Sequence, residues 1–172
     1  MLSTGIAAVF ELHDERDGIG RGKCLRQLGS VAFRRFEDAK RSGETDGRLV
    51  GHLNDAIGFY DQALALTPQD SIESLAVIHT QLGNIYDEAG DSDRSLTHSR
   101  AAIRYAEMAG DTYGAAQTRF NVALSLARSG NLADALEYAS AALRNYETFG
   151  ERATTDIQET QELIALIASH EV

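Results

Sequence analysis

The chain repeats itself. Residues 76–107 lie over residues 116–147 without a gap at a shift of 40, so that Gly90 falls on Gly130, Leu96 on Leu136 and Ala102 on Ala142. A fixed period of this size marks an array of small units, none of which can bury its apolar face without a neighbour to stack on. Apolar residues recur at spacings of three and four, as in Leu75, Ile78, Leu82 and Ile85, and again in Phe120 and Leu124. With no sustained alternation of period two, the pattern predicts helices and no strands. The breaks are equally regular. Gly followed by Asp or Asn at 90–91, 110–111 and 130–131 predicts a helix stop and then a start. Glycine accepts the left-handed backbone just past a last turn, and the Asp or Asn side chain caps the next helix. Further breaks are predicted at Arg41–Gly43, at Thr67–Pro68 and at Phe149–Gly150. Thr67 is expected to cap the following helix, with Pro68 in its first position.

Composition removes several classes of function. No run of 18 apolar residues exists to span a membrane. The opening residues lack a basic stretch and turn acidic at once, unlike a secretory signal. A single cysteine, Cys24, excludes an internal disulfide framework, and a reducing cytoplasm is the expected setting. The net charge of −10 offers no general electrostatic route to nucleic acid. That charge is uneven. Residues 1–48 carry 9 basic and 8 acidic side chains, whereas residues 49–172 carry 7 and 18.

Chemistry-bearing patterns are weak. Gly18, Gly20 and Gly22–Lys23 imitate a phosphate loop, but Asp17 and Cys24 stand where Gly and Ser or Thr are required. The stretch reads instead as a glycine-rich helix junction. The histidines, His13, His52, His79, His98 and His170, show no pair at ligand spacing on one helical face, so no metal site is expected. Cys24 beside Leu25 and Leu28 reads as a buried structural thiol. No catalytic, cofactor-binding or metal-binding residues are assigned, and no enzyme activity is expected.

The residues do carry a family resemblance. His79, Leu82, Gly83 and Tyr86 match the first-helix signature of the tetratricopeptide repeat, with His in place of Trp. Ala56, Tyr60, Ala63 and Pro68 match its second-helix signature at every spacing. Val122, Ala123, Leu126, Ala135, Ala139 and Ala142 follow more loosely, and Leu25, Leu28, Gly29 and Ala32 begin another unit. The chain thus resembles a tetratricopeptide-repeat protein over nearly its whole length. The resemblance implies an all-α stack of antiparallel helix pairs in a right-handed superhelix. Gly29, Gly83 and Ala123 would stand where the two helices of a unit cross. The 40-residue period exceeds the usual 34 and resembles repeats in C-terminal parts of bacterial multidomain signalling proteins.

On this reading residues 3–14 are the second helix of an incomplete unit, since residues 8–29 align with 102–123. Repeat 1 spans 19–67, and its extra charged residues, 37–48, form an extended hairpin turning at Gly43. Repeats 2 and 3 span 71–108 and 112–148. A capping helix follows over 153–169, with Leu163, Ile164 and Ile167 inward and Asp156, Glu159 and Glu162 outward. An apolar face with Ile6, Val9 and Phe10 would lack a partner at the first end.

The resemblance also implies a function. First helices of successive units would line a concave groove for a peptide or partner segment. Its residues would be Lys23, Arg26, Gln27, Ser30 and Arg34; then Thr80, Gln81, Asn84 and Asp87; then Gln117, Phe120, Asn121, Leu124 and Arg128. Asn84 and Asn121 coincide with asparagines that hold peptide termini in some members of the family. The lysine of that clamp is replaced by Thr80. The expected role is a protein-interaction scaffold without cofactors, nucleic acid or membrane. A homo-oligomerisation module and a peptide-sensing switch are the alternatives.

Overall fold

The computed structural model describes the backbone of residues 3–44 and 47–169, and within those spans the side chains from residue 18 onward. Among the described residues the chain is all-helical: α1 (Ser3–Arg41), α2 (Gly47–Leu66), α3 (Ile72–Glu88), α4 (Ser92–Met108), α5 (Thr112–Arg128), α6 (Leu132–Glu147), a short 3-10 turn (Gly150–Ala153) and α7 (Thr154–Ser169). It divides into two compact units, residues 1–78 and 79–172. No described helix is long and apolar enough to cross a membrane.

The first unit is built on the antiparallel pair α1 and α2. The buried positions of α1 are Gly22, Gly29, Ala32, Phe36 and Ala39, and those of α2 are Leu53, Ala56, Tyr60 and Ala63. Both sets repeat at steps of three, four or seven, the seam of two helices packed at a shallow angle. Gly22 lies against Leu66 and Gly29 against the ring of Tyr60, which sets the register. A Cβ on Gly29 would stand 2.7 Å from that ring, and Tyr60 is only 1% exposed. Gly29→Ala is therefore expected to destabilise the chain by about 1–2 kcal/mol, since overpacking outweighs the better helix propensity of alanine. Gly58, inside α2 with nothing near its missing Cβ, provides the opposite sign: Gly58→Ala should stabilise by about 0.5–1 kcal/mol. Urea unfolding of the two variants checks both, and equal shifts would refute the close approach at Gly29.

α1 differs from expectation in its first half. The backbone is helical without interruption from Ser3 to Arg41, so the junction expected near Gly18, Gly20 and Gly22 is absent. Glycine tolerates a break but does not impose one, and here no Asp or Asn follows the glycines to cap a new helix. The continuous helix also removes the loop that a phosphate site would need. Cys24 is exposed rather than buried, and so is Leu28. The seam against α2 takes Gly22 and Gly29, and neither Cys24 nor Leu28 keeps that step. The side chains of Ile6, Val9, Phe10 and His13, and all of His170, lie outside the described residues.

The helix ends follow one rule. Gly90 donates to the Asp87 carbonyl at 3.0 Å and Asp91 to that of Tyr86 at 2.9 Å. The same two bonds recur from Gly110 and Asp111, from Gly130 and Asn131, and from Gly43 and Glu44. This is the Schellman ending, which needs a left-handed residue, and φ at Gly90 is 75°. Asp91, Asp111 and Asn131 then accept from the backbone of Arg94, Gly114 and Asp134. The link at Thr67–Pro68 is different. Thr67 does not cap α3; its hydroxyl donates back to the Ala63 carbonyl at 2.7 Å. Pro68 stands in a turn closed by Ser71, and α3 begins only at Ile72.

In the second unit α5 packs between α4 and α6, and α7 covers α6. Gly83 of α3 meets Ser99 of α4. The core under α7 is made of Ala123, Ala127, Ala135 and Ala139 with Leu163 and Ile167. Leu163, Ile164 and Ile167 face inward as expected, but Asp156 does not point away: it accepts the Tyr113 phenol at 2.8 Å. Tyr113 in turn meets Tyr146 and Phe149 edge-on, which ties the 3-10 turn to α5.

Candidate functional site

The expected groove residues fall on α1, α3 and α5. In the first unit Lys23, Ser30 and Arg34 are exposed and Arg26 is half-buried. At steps of three and four they form one polar stripe along α1. Ser30 hydrogen-bonds the Tyr60 phenol, whose pKa is raised by burial, with Ser30 and the charge of Arg26 acting against that rise. Lys23 and Arg26 also border a cleft with Thr67, Ser71 and Ser74, whose open volume is about 30 Å³.

In the second unit the side chains of α3 and α5 come together directly. The Ser125 hydroxyl donates to the Asp87 carboxylate across the two helices. Asp87 is therefore engaged in holding α3 to α5. Gln117, Asn121 and Arg128 are exposed on α5, and Thr80 and Asn84 are half-buried on α3. Neither Asn84 nor Asn121 spends its amide on a hydrogen bond among the described residues. Each amide can both donate and accept. Two such groups on adjacent helices, with Phe120 and Leu124 half-buried nearby on α5, suit an extended backbone.

A second cluster escaped the sequence. His79 Nδ1 stands 3.0 Å from His98 Nδ1. His79 stacks on Tyr105 and His98 on Tyr86. Arg94 lies over the Tyr86 ring and Arg104 over that of Tyr105. Burial, then the neighbouring His98 and Arg104, push the His79 pKa down to about 4. The two histidines belong to different helices, so spacing along one helix could not reveal them. The aligned positions in the other repeat, Arg119 and Tyr138, carry no histidine pair either.

A cleft of about 420 Å³ opens between α4, α5 and α6, bordered by Arg100, Arg119, Asp134, Glu137 and Tyr138. Its cations are already engaged: Arg100 donates to the Tyr138 phenol at 3.2 Å, and Arg119 pairs with Glu107. Among the described residues no group of three or more His, Cys, Asp or Glu side chains could hold a metal.

No protein-family model matches the sequence, and no curated protein matches it.

Proposed function

We propose that this chain is a tetratricopeptide-repeat-like scaffold that binds an extended peptide or partner segment. The binding face is the one shared by α3 and α5 in the second unit. The observation that carries this reading is the pairing of Asp87 with Ser125, which brings two first helices side by side with the uncommitted amides of Asn84 and Asn121 on them. The 40-residue repeat and the identical helix junctions support the stacking that such a face needs. The polar stripe of α1 in the first unit, with Lys23, Arg26, Ser30 and Arg34, offers a separate cationic surface. Charge there would act on encounter and specificity more than on affinity. The long period supports a regulatory role in a larger bacterial signalling protein in the cytoplasm.

Selection from a displayed peptide library should yield ligands for the intact chain. Asn84→Ala with Asn121→Ala should weaken a selected ligand about 5- to 150-fold, the loss of two backbone hydrogen bonds at about 0.5–1.5 kcal/mol each. Circular dichroism must show the variant as helical as the parent. An undiminished affinity would remove the face from consideration.

A further inference from the structure

The cleft between α4, α5 and α6 is charged at both ends and apolar between them. Asp134, Glu137, Tyr138 and Ala141 border it from α6, Arg100 and Ile103 from α4, and Arg119 from α5. Steps of three and four put the four α6 residues on one face, in order along the helix. Two contacts fix the levels of the cations. Arg100 donates through Nε to the Tyr138 phenol at 3.2 Å, so it stands beside the acidic turn of α6. Arg119 pairs with Glu107, in the last turn of α4 and seven residues beyond Arg100. Seven residues of helix rise about 10 Å. Ile103, 7% exposed, lies between the two levels.

Neither end is saturated by the chain's own bonds. At the first, two carboxylates face one guanidinium. Asp134 is held by the Asn131 amide at 2.8 Å, while Glu137 makes no hydrogen bond among the described residues. The carboxylate in excess favours a cation. At the other end Arg119 keeps only 15% of its side chain exposed. It gives Nη2 to Glu107, and its Nη1 stands 3.1 Å from the Asn145 amide, a neutral acceptor that a carboxylate outcompetes. A pure anion entering the cleft would meet Asp134 and Glu137, and a pure cation would meet Arg100 and Arg119. A molecule with an ammonium at one end and a carboxylate at the other meets neither repulsion.

We propose that this cleft binds a short zwitterionic peptide, its ammonium at Glu137 and its carboxylate at Arg119. Three extended residues span about 10 Å, the separation of the two levels. The volume of about 420 Å³ falls within the usual range of small-molecule sites, about 300–1,000 Å³. The site is separate from the face that carries Asn84 and Asn121. Arg119 is two residues from both Gln117 and Asn121 on a helix that turns about 100° per residue, so it leaves α5 on the far side.

Trialanine is the probe. Isothermal titration calorimetry should show one molecule bound per chain, with a Kd of about 1 mM or tighter. N-acetyl-trialanine and trialanine amide each lack one of the two charges and should bind about 10-fold or more weakly. Two variants assign the ends. Glu137→Gln should abolish the discrimination against the acetylated peptide and keep that against the amide. Arg119→Gln should do the reverse, with circular dichroism showing retained helicity; should it unfold, Glu137→Gln, at an exposed position, carries the test alone. Asn84→Ala with Asn121→Ala should leave trialanine binding unchanged, so this site stands or falls apart from the α3–α5 face. The proposal is overturned by absence of binding at millimolar trialanine, by equal affinity for the three peptides, by a Glu137→Gln variant that still rejects the acetylated form, or by loss of trialanine binding in the asparagine double variant.

Discussion

Leu163→Ala is expected to cost about 2–5 kcal/mol, the range for removing a buried leucine from a core that cannot collapse around the gap. The reason lies in what surrounds it. α5 and α6 present four alanines to α7, Ala123, Ala127, Ala135 and Ala139, none more than 3% exposed. Alanines let the helices approach closely but supply little apolar volume. The volume under α7 comes from Leu163 and Ile167, with Phe120, Leu124, Leu132, Tyr138 and Ile164 at the margin. Truncating Leu163 leaves alanine facing alanine, with no long side chain free to fill the space. Urea unfolding at neutral pH, read by helical ellipticity, measures the loss. A cost below about 1 kcal/mol would mean that α7 is only loosely docked, because a fraying terminal helix contributes little to global stability. Tyr113 argues for firm docking, since its phenol donates to Asp156 of α7 at 2.8 Å.

Much of this fold was legible because its signals are local. A Gly–Asp or Gly–Asn pair states both that a helix ends and that another begins, and each of the three pairs does so in the structure. The glycines at 90, 110, 130 and 150 all take positive φ, so the true beat of the second unit is one helix every 20 residues, half of the sequence repeat. Structure and sequence pattern part where the local signal is ambiguous. Gly18, Gly20 and Gly22 suggest a junction, but glycine without a capping residue is silent about where a helix stops. Thr67 before Pro68 suggests a cap, yet a threonine hydroxyl can equally close back on the preceding turn, as it does on Ala63. Asp156 looked like a solvated acid, and only the fold brings Tyr113 to it. For the candidate site, a family pattern could place Asn84 and Asn121, but not the Asp87–Ser125 contact that joins their helices. The His79–His98 pair was invisible for the same reason: it depends on the crossing of α3 and α4, not on spacing along either.

That pair makes the second unit sensitive to acid. The 3.0 Å separation of the two Nδ1 atoms requires one to donate and the other to accept, so the arrangement holds with neutral imidazoles and fails when both are protonated. The cations facing the pair, Arg94 beyond Tyr86 and Arg104 beyond Tyr105, add to the penalty for a second charge. The sign follows from proton counting. His79 has a pKa of about 4 in the folded chain against 6.5 for an ordinary histidine. Between these values the unfolded chain binds more protons than the folded one, so stability falls as pH falls. The contribution is whole above pH 6.5 and is lost on the way to pH 4. For a half-buried ring, solvent screening leaves about 1–2 kcal/mol of the effect. His79→Phe, which keeps a ring between His98 and Tyr105, should therefore flatten the difference in urea stability between pH 7 and pH 5 relative to the parent. Groups remote from the pair are the same in both proteins and cancel in the comparison. Identical pH slopes for the two would show that the pair carries no such penalty.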